Sequence, residues 1–365
     1  MKRLVLILGI AAGVMILGAC TKEDRTDNMA IVSPTPAVTN TAGDNSKEPD
    51  QTNAKDYYPL KADTEYVYEG SGNEYASFLM YVDYLDEKND RFQTRTNNGG
   101  TETVKVIEYK DGKLYVLQSV NECYYRENFL NAKVKKEDAE ILLMEPITDG
   151  TRWLLPDGRM RFISSTDVMI ETPSGKYNAI EVTTEGEDSV IKDYYAKGTG
   201  LVQSLFYSGD MEVSSALSKI NQDKPLTREI EIYYPDSDGR LYAERLSLIF
   251  HTDDITRKII SEAMKTELPT ASYLSLISKD TQINSLYLGK DNIAYVDFSS
   301  EFIADMNVGA GYEQLILQGI ANTFGMYYGT DKVSLTVEGK PYESGHILMT
   351  KGETISVSMD NVVQE

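Results

Sequence analysis

The apolar and polar positions change their period along this chain. Residues 4–19 form an unbroken apolar run behind Lys2 and Arg3, and the run closes on Leu17-Gly18-Ala19-Cys20. From Thr21 to about Asp56 large apolar residues almost vanish among Thr, Asn, Ser, Asp, Pro and Ala, a composition that does not repay the entropy of ordering. From Tyr57 to about Ile220 the period becomes two. Short segments rich in Tyr, Val, Phe, Thr and Ile include Thr64–Tyr68, Thr103–Tyr109, Lys113–Gln118, Arg159–Ser164, Asp167–Glu171 and Ala179–Thr184. They are broken by Asn97-Asn98-Gly99-Gly100, Asp111-Gly112, Asp157-Gly158 and Ser174-Gly175, which predicts successive antiparallel hairpins in an open curved sheet or a sandwich. Lys135–Leu143 reads as one short helix stopped before Pro146.

After a joint at Asn221-Gln222-Asp223-Lys224-Pro225 the periods mix. Strands are predicted at Glu229–Tyr234 and Leu241–Phe250, then a helix with Asp253 as its cap and Ile255, Ile259, Ala263 and Met264 on one face, ended by Pro269. Asn284–Leu288 and Ile293–Phe298 form a hairpin across Gly289–Asn292. A second helix over Gly311–Tyr328 carries Tyr312, Leu315, Ile316, Ile320, Phe324 and Tyr327 at helical spacing, and Val333–Glu338 is read as the final strand. The fold class is therefore α+β: an N-terminal, mostly antiparallel β domain, then a small sheet with two helices packed on one face. The segments are 1–20, 21–56, 57–222, 228–348 and an extension at 349–365.

The N-terminal pattern has a chemical meaning. A basic start, an apolar run and small residues before Cys20 match a bacterial lipoprotein signal, with Cys20 as the acylated first residue of the exported chain. The residues from 21 to about 56 then act as a tether spanning roughly 30–36 Å as a random coil. Expected location is the extracytoplasmic face of the plasma membrane, held by the lipid. The formal charge of −21 repels phosphate backbones and removes nucleic acid from the partners. With Cys20 acylated, Cys123 stands alone and no disulfide is available. Two histidines and one thiol cannot build a zinc site, so neither metal nor cofactor is expected, although a carboxylate calcium site stays open.

The C-terminal block from Arg228 to Leu348 resembles the GerMN domain family of sporulation and spore germination. The likeness rests on Asn284-Ser285-Leu286-Tyr287-Leu288, on Ala294-Tyr295-Val296-Asp297-Phe298-Ser299-Ser300-Glu301-Phe302, on Glu313, on Asn322-Thr323-Phe324 and on Val337-Glu338-Gly339. It implies a non-enzymatic module of the ring-building type that assembles envelope complexes by self-association or with other envelope proteins. Phe302, Ile303 and Met306 are candidate interaction residues, against burial in the domain's own core.

Two competing classes follow from the residues. Many of the 25 tyrosines fall in the β segments, and exposed rows would stack on the sugars of peptidoglycan; rings buried behind wet hydroxyls need no ligand. A hydrolase would join Asp297 and Ser299, on one strand face, to His346 as base; otherwise Asp297, Ser299 and Ser300 serve hydrogen bonds at the strand end. No catalytic residue is assigned.

Overall fold

The computed structural model describes residues 52–131, 133 and 138–363; Cys20, the apolar run and nearly all of the tether lie outside the described residues. The turn residues dictate a long meander of strands: β1 (Glu65–Ser71), β2 (Phe78–Asp86), β3 (Arg91–Asn97), β4 (Glu102–Lys110), β5 (Lys113–Asn121), β6 (Glu140–Met144), β7 (Arg152–Leu154), β8 (Met160–Thr172), β9 (Gly175–Glu185), β10 (Val190–Ala196), β11 (Gly200–Ser208) and β12 (Met211–Asn221). These make one antiparallel sheet ordered β6-β5-β4-β3-β2-β1-β12-β11-β10-β9-β8-β7.

The sheet is neither open nor a sandwich, because its two ends are joined by side chains. Trp153 Nε1 and Arg161 Nη1 both donate to the Ile141 carbonyl, at 3.0 and 2.8 Å, and Arg161 pairs with Glu140 at 2.9 Å. A near-barrel results whose interior holds Ile107, Leu114, Leu143, Ile163 and Ile180, with Tyr66, Tyr68, Val82 and Val202 further along. A 3-10 turn at Ala54–Tyr57 brings buried Ala54 into that interior, where Tyr58 stacks on Phe92.

Two local readings change. Residues 140–143 are strand rather than helix, because pairing with β5 and burial of Leu143 outweigh local helix propensity; 134–137 lie outside the described residues. Arg159–Ser164 and Asp167–Glu171 merge into β8, with irregular register around Ser165 that lets the long strand bend.

The C-terminal half contains β13 (Leu226–Pro235), β14 (Leu241–Phe250), α1 (Thr256–Met264), β15 (Ile283–Leu288), β16 (Ala294–Phe298), α2 (Glu301–Ala304), α3 (Ala310–Tyr328), β17 (Lys332–Val337), β18 (Lys340–Pro341), β19 (Ile355–Ser356) and β20 (Val362–Val363). Two sheets replace the single one expected. One is β13-β14-β20; the other is β15-β16-β17-β18, with β19 also on β17. β16 and β17 are parallel, joined by the crossover through α3.

α3 contacts both sheets, so it is buried on several faces rather than along one stripe: Ile316, Leu317, Ile320, Ala321 and Phe324 are all inside. Gly319 is needed for this, since a Cβ there would fall 2.3 Å from the Tyr233 carbonyl oxygen. Beside it Thr323 Oγ1 accepts the Tyr233 N–H at 3.2 Å, so the helix covers the outer edge of β13. Gly329 ends the helix at φ 67°, the left-handed conformation glycine adopts without strain.

Val333–Glu338 is not the final strand. The extension at 349–365 folds back: Ser356 and Ile355 pair with β17, and Val362 and Val363 pair with β14. Buried Asn322 fixes the returning chain, donating to the Ser358 carbonyl at 2.7 Å and accepting its N–H at 3.0 Å. Asp253 does not cap α1. It accepts the Leu85 N–H at 2.8 Å, and α1 begins three residues later with Ile255 exposed.

That bond is one of several tying the near-barrel to the C-terminal sheets, and the described residues pack as one compact unit. At its centre the Arg126 side chain is fully buried, with Nη1 donating to Tyr84 Oη at 2.7 Å and to the Asp254 carbonyl. Nη2 donates to the Asp83 and His251 carbonyls at 2.9 and 3.1 Å, and the guanidinium lies 4.2 Å over the Tyr84 ring and 4.9 Å over Phe250. Next to it Arg95 pairs with Asp83 at 3.1 Å and with Glu102 at 2.9 Å, and Arg228 of β13 grips Glu102 with both nitrogens at 2.6 and 2.9 Å.

Two stability results follow. Arg126→Ala removes the donor to the Asp83, His251 and Asp254 carbonyls and one of the two cations beside the Asp83 carboxylate, which keeps Arg95, and is expected to cost about 3–5 kcal/mol in urea unfolding. Gly319→Ala is expected to cost about 1–3 kcal/mol by overpacking, whereas Gly311→Ala, which faces open space, is neutral or stabilising.

Candidate interaction site

Several of the residues that carried the sequence likeness lie where α2 and the start of α3 meet the second sheet, while Asn322 and Thr323 sit further along α3 against the returning tail and β13. Asp297 of β16 accepts at one carboxylate oxygen from Thr336 Oγ1 at 2.6 Å and the Gly339 N–H at 2.7 Å, and at the other from Asn284 Nδ2 at 3.1 Å. It therefore fastens β15, β16 and the turn after β17. Ser299 Oγ accepts the Gln282 N–H at 2.9 Å, and the Ser300 N–H goes to Glu338 at 3.1 Å.

His346 has a different partner, its Nδ1 lying 2.7 Å from Glu313 Oε2. The other oxygen of this buried carboxylate accepts from Tyr342 Oη at 2.8 Å and from Ser344 Oγ. The structure thus gives Asp297, Ser299 and His346 separate hydrogen-bond partners and does not join them in a nucleophile–base–acid chain. His346 is more than a loop residue, since it pins the 342–346 turn onto α3.

Phe302 lies inside the core, stacked on Phe298 at 4.4 Å and edge-on to Tyr342 at 5.9 Å, so no partner reaches it. Ile303 and Met306 are half-buried on the same core, Met306 Sδ being 3.8 Å from Tyr342 Oη. Only the latter two candidates retain exposed surface.

Sequence reasoning missed the outer edge of β15, where Glu127 Oε2 accepts the Leu288 N–H at 3.2 Å and Arg257 Nη1 donates to the Ile283 carbonyl at 2.8 Å. Burial raises the Glu127 carboxyl above its ordinary value, partly offset by that N–H. The available signal was a strand edge with no predicted neighbour.

A cleft of about 600 Å³ lies in the near-barrel among Tyr58, Leu60, Leu85, Phe92, Lys55 and Lys197. Tyrosines of the β segments mostly turn inward, Tyr66, Tyr68, Tyr81, Tyr84, Tyr194 and Tyr195 being buried, so no continuous sugar-stacking row forms from them. The Cys123 thiol is buried, which pushes its pKa up to about 11. Among the described residues no three His, Cys, Asp or Glu side chains are placed to hold a metal ion, and no helix is long and apolar enough to cross a membrane.

The Glu313 cluster has a measurable acid dependence. Burial raises its carboxyl, but the hydrogen bonds from Ser344, His346 and Tyr342 outweigh this and hold it below the ordinary 4.5. Such a depressed group contributes stability that is present above the ordinary value and lost as pH falls through the folded one. Glu313→Gln is expected to destabilise by about 1–3 kcal/mol at pH 7, by loss of charge-assisted bonds, with the gap to wild type narrowing below about pH 4 in pH-resolved unfolding.

Comparison with known proteins comes down on the same region. The family described as "Germane: Sporulation and spore germination" matches residues 231–343. Tandem GerMN domains of the sporulation protein GerM from Bacillus subtilis are 25% identical, over 37% of this chain and 47% of theirs, with a TM-score of 0.29. This chain thus spans about half the length of that structure. The first GerMN domain alone is 24% identical over 36% of this chain and 97% of its own, also with a TM-score of 0.29. A Bacteroides fragilis protein with a YmcC-like fold matches 45% of this chain and 98% of its own at 14% identity, with a TM-score of 0.26. No curated protein matches the chain. The C-terminal part of this chain, residues 231–343, is a domain of the GerMN, or Germane, family of sporulation and spore germination.

Proposed function

We propose that this chain is an exported, lipid-anchored envelope protein, held by Cys20, whose Germane domain works without catalysis as an assembly module in sporulation or germination. The observation that carries the reading is how the polar residues of the domain are used. Asp297, Ser299, Glu313, Asn322 and His346 each hold one strand, turn or helix to another. A domain that commits its polar side chains to internal fastening offers a rigid, preorganised surface, which suits association. Ile303 and Met306 supply half-exposed apolar area on that surface.

A second reading, capture of a wall glycan, draws on the 600 Å³ cleft, whose size is that of a ligand site and whose lining includes Tyr58 and Phe92.

The test is the mass of the soluble form, residues 21–365, by light scattering across concentration. Mass is expected to rise above the monomer, and Ile303→Glu combined with Met306→Glu is expected to weaken association about tenfold, or about 1.4 kcal/mol. A strict monomer retained on purified peptidoglycan would overturn assembly in favour of the glycan.

A further inference from the structure

β15 is an edge strand: among the described residues it pairs with β16 and, on its other side, with no strand. In an antiparallel ladder alternate residues turn both N–H and C=O to the same side. Because the Leu288 N–H points outward to Glu127, the N–H and C=O of Leu286, two residues back, also point outward. They face a groove of about 340 Å³ whose walls include Leu286, Tyr287, Glu127, Ile255 and Arg257.

The groove's two ends are chemically distinct. Glu127 holds the place of a neighbouring strand's carbonyl at Leu288, and Arg257 holds the place of its amide at Ile283. Between them, Ile255 and Tyr287 are 47% and 43% exposed and present apolar surface. Side-chain placeholders protect an edge from indiscriminate pairing but yield to a strand whose own backbone satisfies the same groups.

We propose that this edge receives an extended segment of a partner protein as an added antiparallel strand, paired at Leu286, with a basic residue near its start beside Glu127, aliphatic residues at the centre and an acidic residue near its end beside Arg257. This rests on the assembly reading and names its partner class. Antiparallel addition puts the start of the incoming strand opposite Leu288 and its end opposite Ile283, which sets the order of the charges.

The probe is the capped peptide Lys-Val-Thr-Val-Thr-Glu, titrated into the isotope-labelled protein, residues 21–365, and followed by amide resonances. The expected result is saturable shifts centred on Leu286 and Leu288, and binding about tenfold weaker for the charge-reversed peptide Glu-Val-Thr-Val-Thr-Lys. The double variant Glu127→Lys with Arg257→Glu is expected to invert that preference. Absence of shifts at β15, equal binding of the two peptides, or a preference for the reversed one would overturn the proposal. So would protection of the Leu286 amide by self-association without peptide, which would assign the edge to a second copy. Light scattering on the same samples reports separately on assembly: mass that still rises while the peptide fails to bind rejects the strand site and leaves the assembly reading standing.

Discussion

A fully buried guanidinium needs hydrogen bonds on nearly every side, and Arg126 finds them at both terminal nitrogens, with Nε 3.8 Å from Asp83 Oδ1, only because the two halves of the molecule meet around it. Its acceptors come from β2, from the 251–254 loop and from Tyr84, while its own backbone N–H donates to Tyr327 of α3 at 3.0 Å. Arg95, Arg126 and Arg228 outnumber the two carboxylates they share, Asp83 and Glu102. Backbone carbonyls supply the rest, among them Tyr125 at 2.9 Å from Arg95. Loops that would otherwise wander are thus positioned as ligands of buried cations, and Glu127, immediately after Arg126, is delivered to the β15 edge by the same constraint.

The molecule handles exposed strand edges in three ways. The large sheet closes its ends through Trp153 and Arg161, the outer edge of β13 is covered by α3, and β15 is guarded by two charged side chains. The first two are built into cores and cost several contacts to undo. The third rests on two side chains rather than on a packed element, so fewer contacts guard that edge.

Much of this was legible where local chemistry decides. β14 occupies Leu241–Phe250 as its alternation predicted, and α3 starts one residue before its expected first turn. The hairpin Asn284–Phe298 followed from turn residues and branched side chains. What was not legible depends on distant partners. Glu140–Met144 is a strand only because β5 lies beside it, and Asp253 abandons its helix for the Leu85 N–H. The fastening of His346 to Glu313 across 33 positions has no local signature beyond one acid in an apolar helix. Arg126 left no trace in the periodic pattern, since Arg126-Glu127 after two tyrosines reads as an ordinary surface charge pair until its burial is seen.

The returning tail gives the fold a direction in time. Ser358 completes the hydrogen bonding of Asn322, and Val362 and Val363 supply the strand beside β14, so the interior around α3 lacks this wall until residues 355–363 arrive. In a chain delivered N-terminus first, the segment 355–363 follows every element it touches, so the C-terminal half closes through a piece that arrives after its neighbours.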